Sequence, residues 1–162
     1  MDLFGFEVAV RFRLSGREVL AYGWHWDSDR AARHLEALVR FHRIPGRSIA
    51  DPGLETWLEE QLTAVVQGGA VFSLPDFPYR ERPVWDALLR IPRGATRTYG
   101  SLAKEAGLPY PRLLAALLKN PFQVLLPCHR LVTQKGTPMG FYPLGATVKR
   151  RLLELEGVRL EE

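Results

Sequence analysis

Hydrophobic and polar positions in the first half of the chain predict a β-hairpin followed by two helices. Strand-forming segments at 4–13 and 18–24 flank a four-residue turn that contains glycine. Apolar residues then recur at helical spacing over 27–43, where the segment opens with N-capping side chains, and again over 54–67. We therefore expect a small α/β lobe at the N-terminus.

The second half of the chain has mainly helical spacing. It predicts helices over 84–89, 99–106, 111–119 and 146–156, and one short buried strand over 122–126. The second and third of these helices are separated by a Gly-Leu-Pro turn. Such a pair is typical of a helix-turn-helix, and equally of an ordinary helical hairpin in a core.

A proline-rich segment at 74–83 separates the two halves and coincides with a change in charge. Residues 1–76 carry 8 Lys and Arg against 11 Asp and Glu, whereas residues 77–162 carry 14 against 7. We predict an α+β fold with a supporting N-terminal α/β lobe and a C-terminal, mostly helical, winged-helix-like domain, divided at this point. The glycine-rich segment 134–140 is a wing or a pocket lid. The basic half favours a nucleic-acid partner, or it is a solvated surface without one.

The use of cysteine and the length of the apolar runs limit the class of protein. One cysteine excludes an internal disulfide framework and a multi-cysteine zinc site, and it fits a reducing compartment. The first residues lack the basic segment and apolar core of a secretory leader, and no apolar run approaches membrane-spanning length. We expect a cytoplasmic or nucleoid-associated monomer that holds no metal and no cofactor.

The single cysteine lies in the tetrapeptide Pro127–Arg130, directly after the apolar run 122–126. A thiol beside an imidazole at the end of a buried strand suits a nucleophile, because the reactive thiolate needs a nearby base or positive field. Since adjacent strand side chains point to opposite faces, His129 could act on Cys128 through a relay or a water. The alternative is that Cys128 is simply a small buried hydrophobic residue.

Four segments, taken in order, resemble the O6-alkylguanine-DNA alkyltransferase family, also named methylated-DNA–protein-cysteine methyltransferases. They are Ile91–Gly100, with the pattern Ile-Pro-x-Gly-x-x-x-x-Tyr-Gly, then Asn120-Pro121, Pro127–Arg130 and Leu152–Gly157. The eight-residue spacing from Asn120 to Cys128 also matches that family. The resemblance extends from about residue 84 to residue 157 and is thin over residues 1–76.

The resemblance implies a DNA repair protein that irreversibly transfers one alkyl group from O6 of guanine to its own cysteine, in a single turnover and without a cofactor. By the family pattern Cys128 accepts the alkyl group, His129 acts through a water as the base, and Glu156 orients His129. Tyr99 matches the family tyrosine that pushes the DNA backbone and donates a hydrogen bond to the guanine.

The resemblance also implies a partner, double-stranded DNA that contains O6-alkylguanine, bound through the minor groove with the damaged base flipped out. Arg112 resembles the arginine that takes the place of the flipped nucleotide. The side chains expected at the DNA surface are Thr98, Arg112, Ala115, Ala116, Asn120 and Arg130. Those expected around the base are Leu131, Val132, Tyr142 and Pro143.

Two places depart from the family pattern. The segment from Arg112 to Asn120 is one residue shorter than usual, which changes the angle of the arginine or turns it towards phosphate. Pro143 stands where the family has a backbone N–H directed at O6, and proline has no N–H. Either a neighbouring N–H takes that role, or the hydrogen bond is lost.

Other functions stay open on the sequence alone. An alkyltransferase-like protein would bind O6-alkylguanine and flag it without transfer, although such relatives carry another residue, often Trp, at the position of Cys128. A multiple-turnover Cys/His hydrolase would need a preformed pair and an oxyanion site, and no protease motif is present. A plain winged-helix regulator would leave the Pro-Cys-His-Arg motif unexplained.

Overall fold

The computed structural model describes residues 1–160 and combines small sheets with helices, which confirms the predicted α+β class. The strands are β1 Asp2–Leu3, β2 Phe6–Glu7, β3 Ala9–Ser15, β4 Glu18–His25, β5 Arg47–Ile49, β6 Arg97–Thr98 and β7 Leu131–Val132. The helices are α1 Ser28–His42, α2 Pro52–Val66, α3 Arg82–Leu89, α4 Tyr99–Ala106, α5 Tyr110–Leu117 and α6 Ala146–Leu155. A 3₁₀ turn spans Cys128–Arg130.

The predicted hairpin is the centre of the N-terminal sheet. Strands β3 and β4 are antiparallel with Phe12 opposite Tyr22, and β5 pairs with the other edge of β3. Alternate residues of β3 are buried, and α1 packs against both strands of the hairpin. Gly23 is needed at this contact, because a Cβ atom there would lie 2.5 Å from the backbone nitrogen of Leu35 in α1.

Local capping explains where three of the helices begin. The side chain of Asp27 caps α1, that of Asp51 caps α2 ahead of a proline in the first turn, and that of Thr98 caps α4. Each accepts a hydrogen bond from a backbone N–H of the first turn, which would otherwise lack a partner. The helices predicted at these places are confirmed to within a few residues.

The segment 122–126 is buried, but the prediction that it forms a strand is wrong. Val124 has a φ of 78°, in the left-handed region, and the amide of Leu126 donates to the carbonyl of Phe122 at 2.8 Å. Asn120 holds the resulting turns from within, since its amide donates to the carbonyl of Leu126 and accepts from the N–H of Phe122, each at 2.9 Å. An apolar run does not by itself distinguish a buried strand from buried turns.

The second half of the chain contains the two predicted helices with a short turn between them. Helices α4 and α5 are in contact and are joined by residues 107–109, where Gly107 has a φ of 72°. Strands β6 and β7 were not predicted, since two residues carry no periodic signal. They run parallel and bring the start of α4 beside the chain that follows Cys128.

One hydrophobic core runs through both halves of the chain. The ring of Tyr22 in β4 packs edge-on against Phe122 with a centroid distance of 5.9 Å. The hydroxyl of Tyr79 donates to the carbonyl of Leu20 at 2.6 Å across the predicted boundary. Side chains of the two halves therefore pack against each other. The domain boundary between residues 76 and 77 stays a prediction.

His34 and His42 lie on the buried face of α1, and each imidazole forms hydrogen bonds inside the protein. The Nδ1 atom of His34 accepts from the backbone N–H of Trp24 at 3.0 Å. His42 accepts at Nδ1 from the backbone N–H of Arg80 and donates from Nε2 to the carbonyl of Lys119 at 2.6 Å. Burial lowers the pKa of each imidazole to about 4.

Because these two histidines are buried, we expect the protein to lose stability on mild acidification. Between the unfolded pKa of 6.5 and the folded pKa of about 4, the unfolded chain binds more protons, so the free energy of unfolding falls as pH falls. At pH 5 each histidine should account for roughly 2 kcal/mol of the loss relative to pH 7. Urea unfolding at the two pH values measures it.

The variant His42→Gln separates this titration from packing. It is expected to be less stable than the wild type at pH 7, because two partly buried hydrogen bonds change. Its further loss of unfolding free energy between pH 7 and pH 5 should be smaller than that of the wild type by roughly 2 kcal/mol, the contribution of one histidine. An unchanged loss would mean that His42 does not titrate on unfolding.

Candidate active site

Cys128 lines an apolar cavity of about 370 Å³ between α5, the 3₁₀ turn and the loop at 139–142. Its side chain is 8% exposed and carries the thiol expected to react. The apolar walls come mainly from Leu114, Leu117, Leu118, Met139 and Phe141. A thiol in such a cavity can meet a flat, uncharged group that enters from solvent.

The surroundings of the thiol have opposing effects on its pKa. Burial raises the pKa of Cys128 above its ordinary value. Hydrogen bonds from the side chains of Asn120 and Gln123 and from the N–H of Val124, together with the charge of Lys149, offset part of that rise. The thiol is therefore mostly protonated at neutral pH, and its use as a nucleophile requires a base.

His129 is fully buried and forms a hydrogen bond from Nε2 to Oε1 of Glu156 at 3.0 Å. Its Nδ1 atom has no hydrogen-bond partner within the described part of the chain. Burial lowers the pKa of His129 below its ordinary value, and Glu156 acts in the opposite direction. A neutral imidazole with its proton on Nε2 leaves Nδ1 free to accept a proton.

Arg130 completes this buried cluster, which corrects its predicted place at the DNA surface. It is 4% exposed, and its Nε and Nη2 donate to the carboxylate of Glu156 at 2.9 and 2.5 Å. Its Nη1 donates to the carbonyl of Ile91 at 2.7 Å. Asn120 is likewise buried, with its amide engaged inside the loop before Cys128. Neither side chain is available to a DNA backbone in this arrangement.

Tyr99 lies in the cavity wall beside a residue that the sequence reasoning missed. The Nζ atom of Lys149, in α6, donates to the hydroxyl of Tyr99 at 2.7 Å and to the carbonyl of Gly140 at 3.3 Å. Burial lowers the pKa of Lys149 to about 8, and burial also raises the pKa of Tyr99. The available signal was helical spacing, since Lys149 shares the buried face of α6 with Leu152 and Leu153.

Of the four residues predicted to surround the base, one lines the cavity and three do not. Tyr142 lines the cavity and is 55% exposed at its rim. The predictions for Leu131 and Val132 are corrected, because both are buried in β7 and neither lines the cavity. Pro143 follows Tyr142 through a cis peptide bond and also lies outside the cavity lining.

Some of the residues predicted to face DNA are exposed, and others are buried. Ala115 is exposed on α5 and lines the cavity, whereas Ala116 is 1% exposed, which corrects its predicted place. Thr98 is partly exposed and caps α4. Arg112 is exposed, and its Nε and Nη2 each donate to a carboxylate oxygen of Glu81 at 2.8 Å.

Residues 1–160 contain neither a candidate metal site nor a candidate membrane span. In that part of the chain no three His, Cys, Asp or Glu side chains are grouped so as to hold a metal ion. Within the same residues, no helix has both the length and the apolar character needed to cross a membrane.

Comparison with known proteins gives consistent matches over the half of the chain that contains Cys128. A family model described as the DNA-binding domain of 6-O-methylguanine DNA methyltransferase matches residues 80–158. The methylated-DNA–protein-cysteine methyltransferase of Methanothermobacter thermautotrophicus is 44% identical over 81 residues, 50% of this chain and 46% of the relative. The protein of that name from Saccharolobus islandicus is 39% identical over 90 residues, 56% and 58% of the two chains. The chain thus spans about half the length of these relatives.

Comparison with solved structures shows which fold this chain shares with known proteins. The O6-methylguanine-DNA methyltransferase of Pyrococcus kodakaraensis superposes with a TM-score of 0.73 over 98% of this chain and 96% of its own, and its 23% identity limits that likeness to the fold. The Mycobacterium tuberculosis protein named OGT, solved in complex with DNA, has a TM-score of 0.56 over 65% of this chain. At 36% identity over 69% of that solved relative, the chain belongs to the O6-alkylguanine-DNA alkyltransferase family.

Proposed function

We propose that this chain repairs DNA by transferring an alkyl group, irreversibly and once per molecule, from O6 of guanine to Sγ of Cys128. The observation that carries the proposal is the thiol in the wall of an apolar cavity, one residue along the chain from a buried imidazole that is hydrogen-bonded to the carboxylate of Glu156. A base inside a stacked duplex cannot reach a buried thiol, so the substrate must be flipped into the cavity. The names of the matched relatives support the same reaction class.

The proposed chemistry uses the free nitrogen of His129. Nδ1 accepts the thiol proton through a water, while Glu156 stabilises the resulting imidazolium through Nε2. The thiolate attacks the alkyl carbon, so that an S–C bond forms and the C–O6 bond breaks with its electron pair remaining on guanine. A thioether on Cys128 is the product, and no cofactor takes part.

Tyr99 and Lys149 supply the proton that the departing guanine needs. The hydroxyl oxygen of Tyr99 accepts a hydrogen bond from Nζ of Lys149, which leaves the hydroxyl proton free to point elsewhere. A phenol polarised by a neighbouring ammonium is a better donor to an anionic leaving group. We therefore assign Tyr99 the donation to guanine and Lys149 the polarisation of Tyr99.

The proposed partner is double-stranded DNA bound through its minor groove by the helix-turn-helix, with the chain acting as a monomer. The excess of basic residues after position 76 favours a polyanion, and the exposed small side chain of Ala115 permits close approach at the cavity mouth. Arg112 is the proposed occupant of the space left by the flipped nucleotide. Residues 1–76 are the proposed supporting lobe.

The decisive experiment is to mix the protein with duplex DNA that contains one O6-methylguanine and then measure intact and peptide-mapped mass. The proposal predicts the gain of one methyl group on the peptide with Cys128, stoichiometric with protein and without turnover. Tight, lesion-selective binding without a mass change would favour the alternative of a protein that flags the lesion. No selectivity and no mass change would overturn both functions.

The pairing of Arg112 with Glu81 predicts that neutralising the carboxylate strengthens DNA binding. Glu81→Gln removes the anion that holds the arginine in the free protein, and the released guanidinium can then contact DNA. We expect affinity for undamaged duplex to rise by roughly threefold at low salt, because exposed ion pairs contribute little. Fluorescence anisotropy across a salt series measures the change.

Asp86→Asn is the matched control for the change in net charge. Asp86 also lies in the region of α3, and it pairs with Arg82 instead of Arg112. It should change affinity less than Glu81→Gln does. In a background of Arg112→Ala, Glu81→Gln should lose most of its effect; an equal gain there would show that Glu81 acts through overall charge alone.

A further inference from the structure

Gln123 is a polar side chain buried between the two halves of the chain, next to the nucleophile. It lies in the turns before Cys128, is 4% exposed and contributes to the cavity lining. A buried amide is costly unless its donors and acceptor find partners. The partners of Gln123 therefore indicate what this residue does.

The amide of Gln123 joins the N-terminal sheet to the cavity loop. Its Oε1 accepts a hydrogen bond from Nε1 of Trp24 at 2.6 Å, and its Nε2 donates to the carbonyl of Tyr142 at 2.5 Å. The backbone carbonyl of Gln123 also accepts from the hydroxyl of Tyr22.

The two side-chain partners of Gln123 differ in secondary structure, since Trp24 lies in a strand and Tyr142 lies in a loop. Trp24 is fully buried in β4, beside Tyr22 and the helix α1. The loop that includes Tyr142 has no helix or strand, and its residues 139–142 form one wall of the cavity. A wall without regular structure depends on side-chain contacts for its position.

Two side-chain hydrogen bonds hold the carbonyls of this wall. Lys149 donates to the carbonyl of Gly140, and Gln123 donates to that of Tyr142. The ring of Tyr142 also meets His34 of α1 edge-on, with a centroid distance of 5.8 Å. Gln123 and His34 therefore link Tyr142 to the N-terminal half of the chain.

We propose that Gln123 is a positioning residue through which the N-terminal hairpin fixes Tyr142 at the cavity mouth and thereby sets the size of alkyl group that reaches Cys128. The inference rests on the proposed alkyl transfer and assigns to residues 1–76 a part in substrate selection. The chemical class concerned is O6-alkylguanine, with small alkyl groups favoured while the wall is held. Loss of the hydrogen bonds lets the wall move outwards and admits larger groups.

The test compares transfer from duplexes that contain O6-methylguanine or O6-n-butylguanine, followed by intact protein mass. Gln123→Met keeps the length of the side chain and removes its amide contacts. We expect the butyl-to-methyl ratio of second-order rate constants to rise by about fivefold, the size of one net hydrogen bond. Trp24→Phe removes only the indole donor and should shift the ratio in the same direction by a smaller factor.

The controls separate positioning from general loss of stability. Leu20→Ala removes core volume from β4 outside the cavity and should lower stability without changing the ratio. In the double variant of Trp24→Phe and Gln123→Met, the shift should equal that of Gln123→Met alone, because both changes break one connection.

The possible failures are distinguishable. If the wild type transfers neither group, the proposed function itself is wrong. If the wild type transfers methyl and both single variants keep its butyl-to-methyl ratio, alkyl transfer stands and the role of Gln123 is overturned. Should Gln123→Met fail to fold, Trp24→Phe decides the question by the same ratio.

Discussion

Replacing Cys128 with serine is expected to abolish alkyl transfer while duplex DNA is still bound. The hydroxyl of serine ionises far less readily than a thiol and is a weaker nucleophile, so the same surroundings do not activate it. The substitution changes one side-chain atom and leaves the hydrogen bonds by which Asn120 holds the preceding turns in place. We expect the single-turnover rate to fall by at least about 10⁴-fold, as for removal of other nucleophiles.

The measurement is the time course of intact mass with equimolar O6-methylguanine duplex, alongside binding by anisotropy. Cys128→Ala tests the same loss without a hydroxyl, and both variants should bind DNA as the wild type does. A mass gain that persists in either variant would place the acceptor elsewhere. Loss of binding together with loss of the thiol would mean that Cys128 is a structural residue of the cavity.

The helices were predictable because their signals are local. Asp27, Asp51 and Thr98 each cap a helix within their own first turn, so a short window of sequence contains both the cap and the groups it satisfies. The segment 122–126 lacked such a signal. Its turns depend on Asn120 and on a left-handed Val124, and its burial depends on a sheet more than ninety residues earlier.

Some residues of the candidate site could be predicted from the sequence, and others could not. Cys128, His129 and Glu156 came from motifs that lie in order along the chain, and the contact between His129 and Glu156 agrees with that reasoning. Gln123 and Lys149 have no motif. Their partners, Trp24 and Tyr99, are 99 and 50 positions away, so only the folded chain brings them together.

Arg130 illustrates why a motif residue can be assigned the wrong surface. A basic side chain in a basic half suggests contact with phosphate, and the sequence gives no sign that a carboxylate meets it. In the folded chain α6 ends at Leu155 and places the next residue, Glu156, against Arg130. The charge is thereby used inside the protein, to hold the carboxylate that His129 also contacts.

Replacing Glu156 with glutamine is expected to cost about 3–5 kcal/mol in the free energy of unfolding, because it leaves the guanidinium of Arg130 buried without its anion. The carboxylate is 2% exposed and accepts from both Arg130 and His129. The midpoint of thermal unfolding should fall on the order of 10 °C. Urea and thermal unfolding, followed by circular dichroism at pH 7, measure both quantities.

Acidification should shrink the difference between this variant and the wild type. Burial raises the pKa of Glu156, but hydrogen bonds from His129 and Arg130 more than offset it, so that the pKa is lower in the folded protein. A carboxyl group of this kind stabilises the fold above its unfolded pKa of about 4.5, and that stabilisation is lost as pH falls through the folded pKa. Glutamine does not titrate and cannot follow this change.

Glu154→Gln is the matched control, two positions earlier in the last turn of α6. Its side chain is 64% exposed and lies 3.9 Å from Arg151, so its loss should change stability by less than about 0.5 kcal/mol. Equal effects of the two substitutions would contradict the cluster as a source of stability. At a temperature where both variants are folded, alkyl transfer should be slowed only by Glu156→Gln, because only that change removes the negative charge that stabilises the imidazolium of His129.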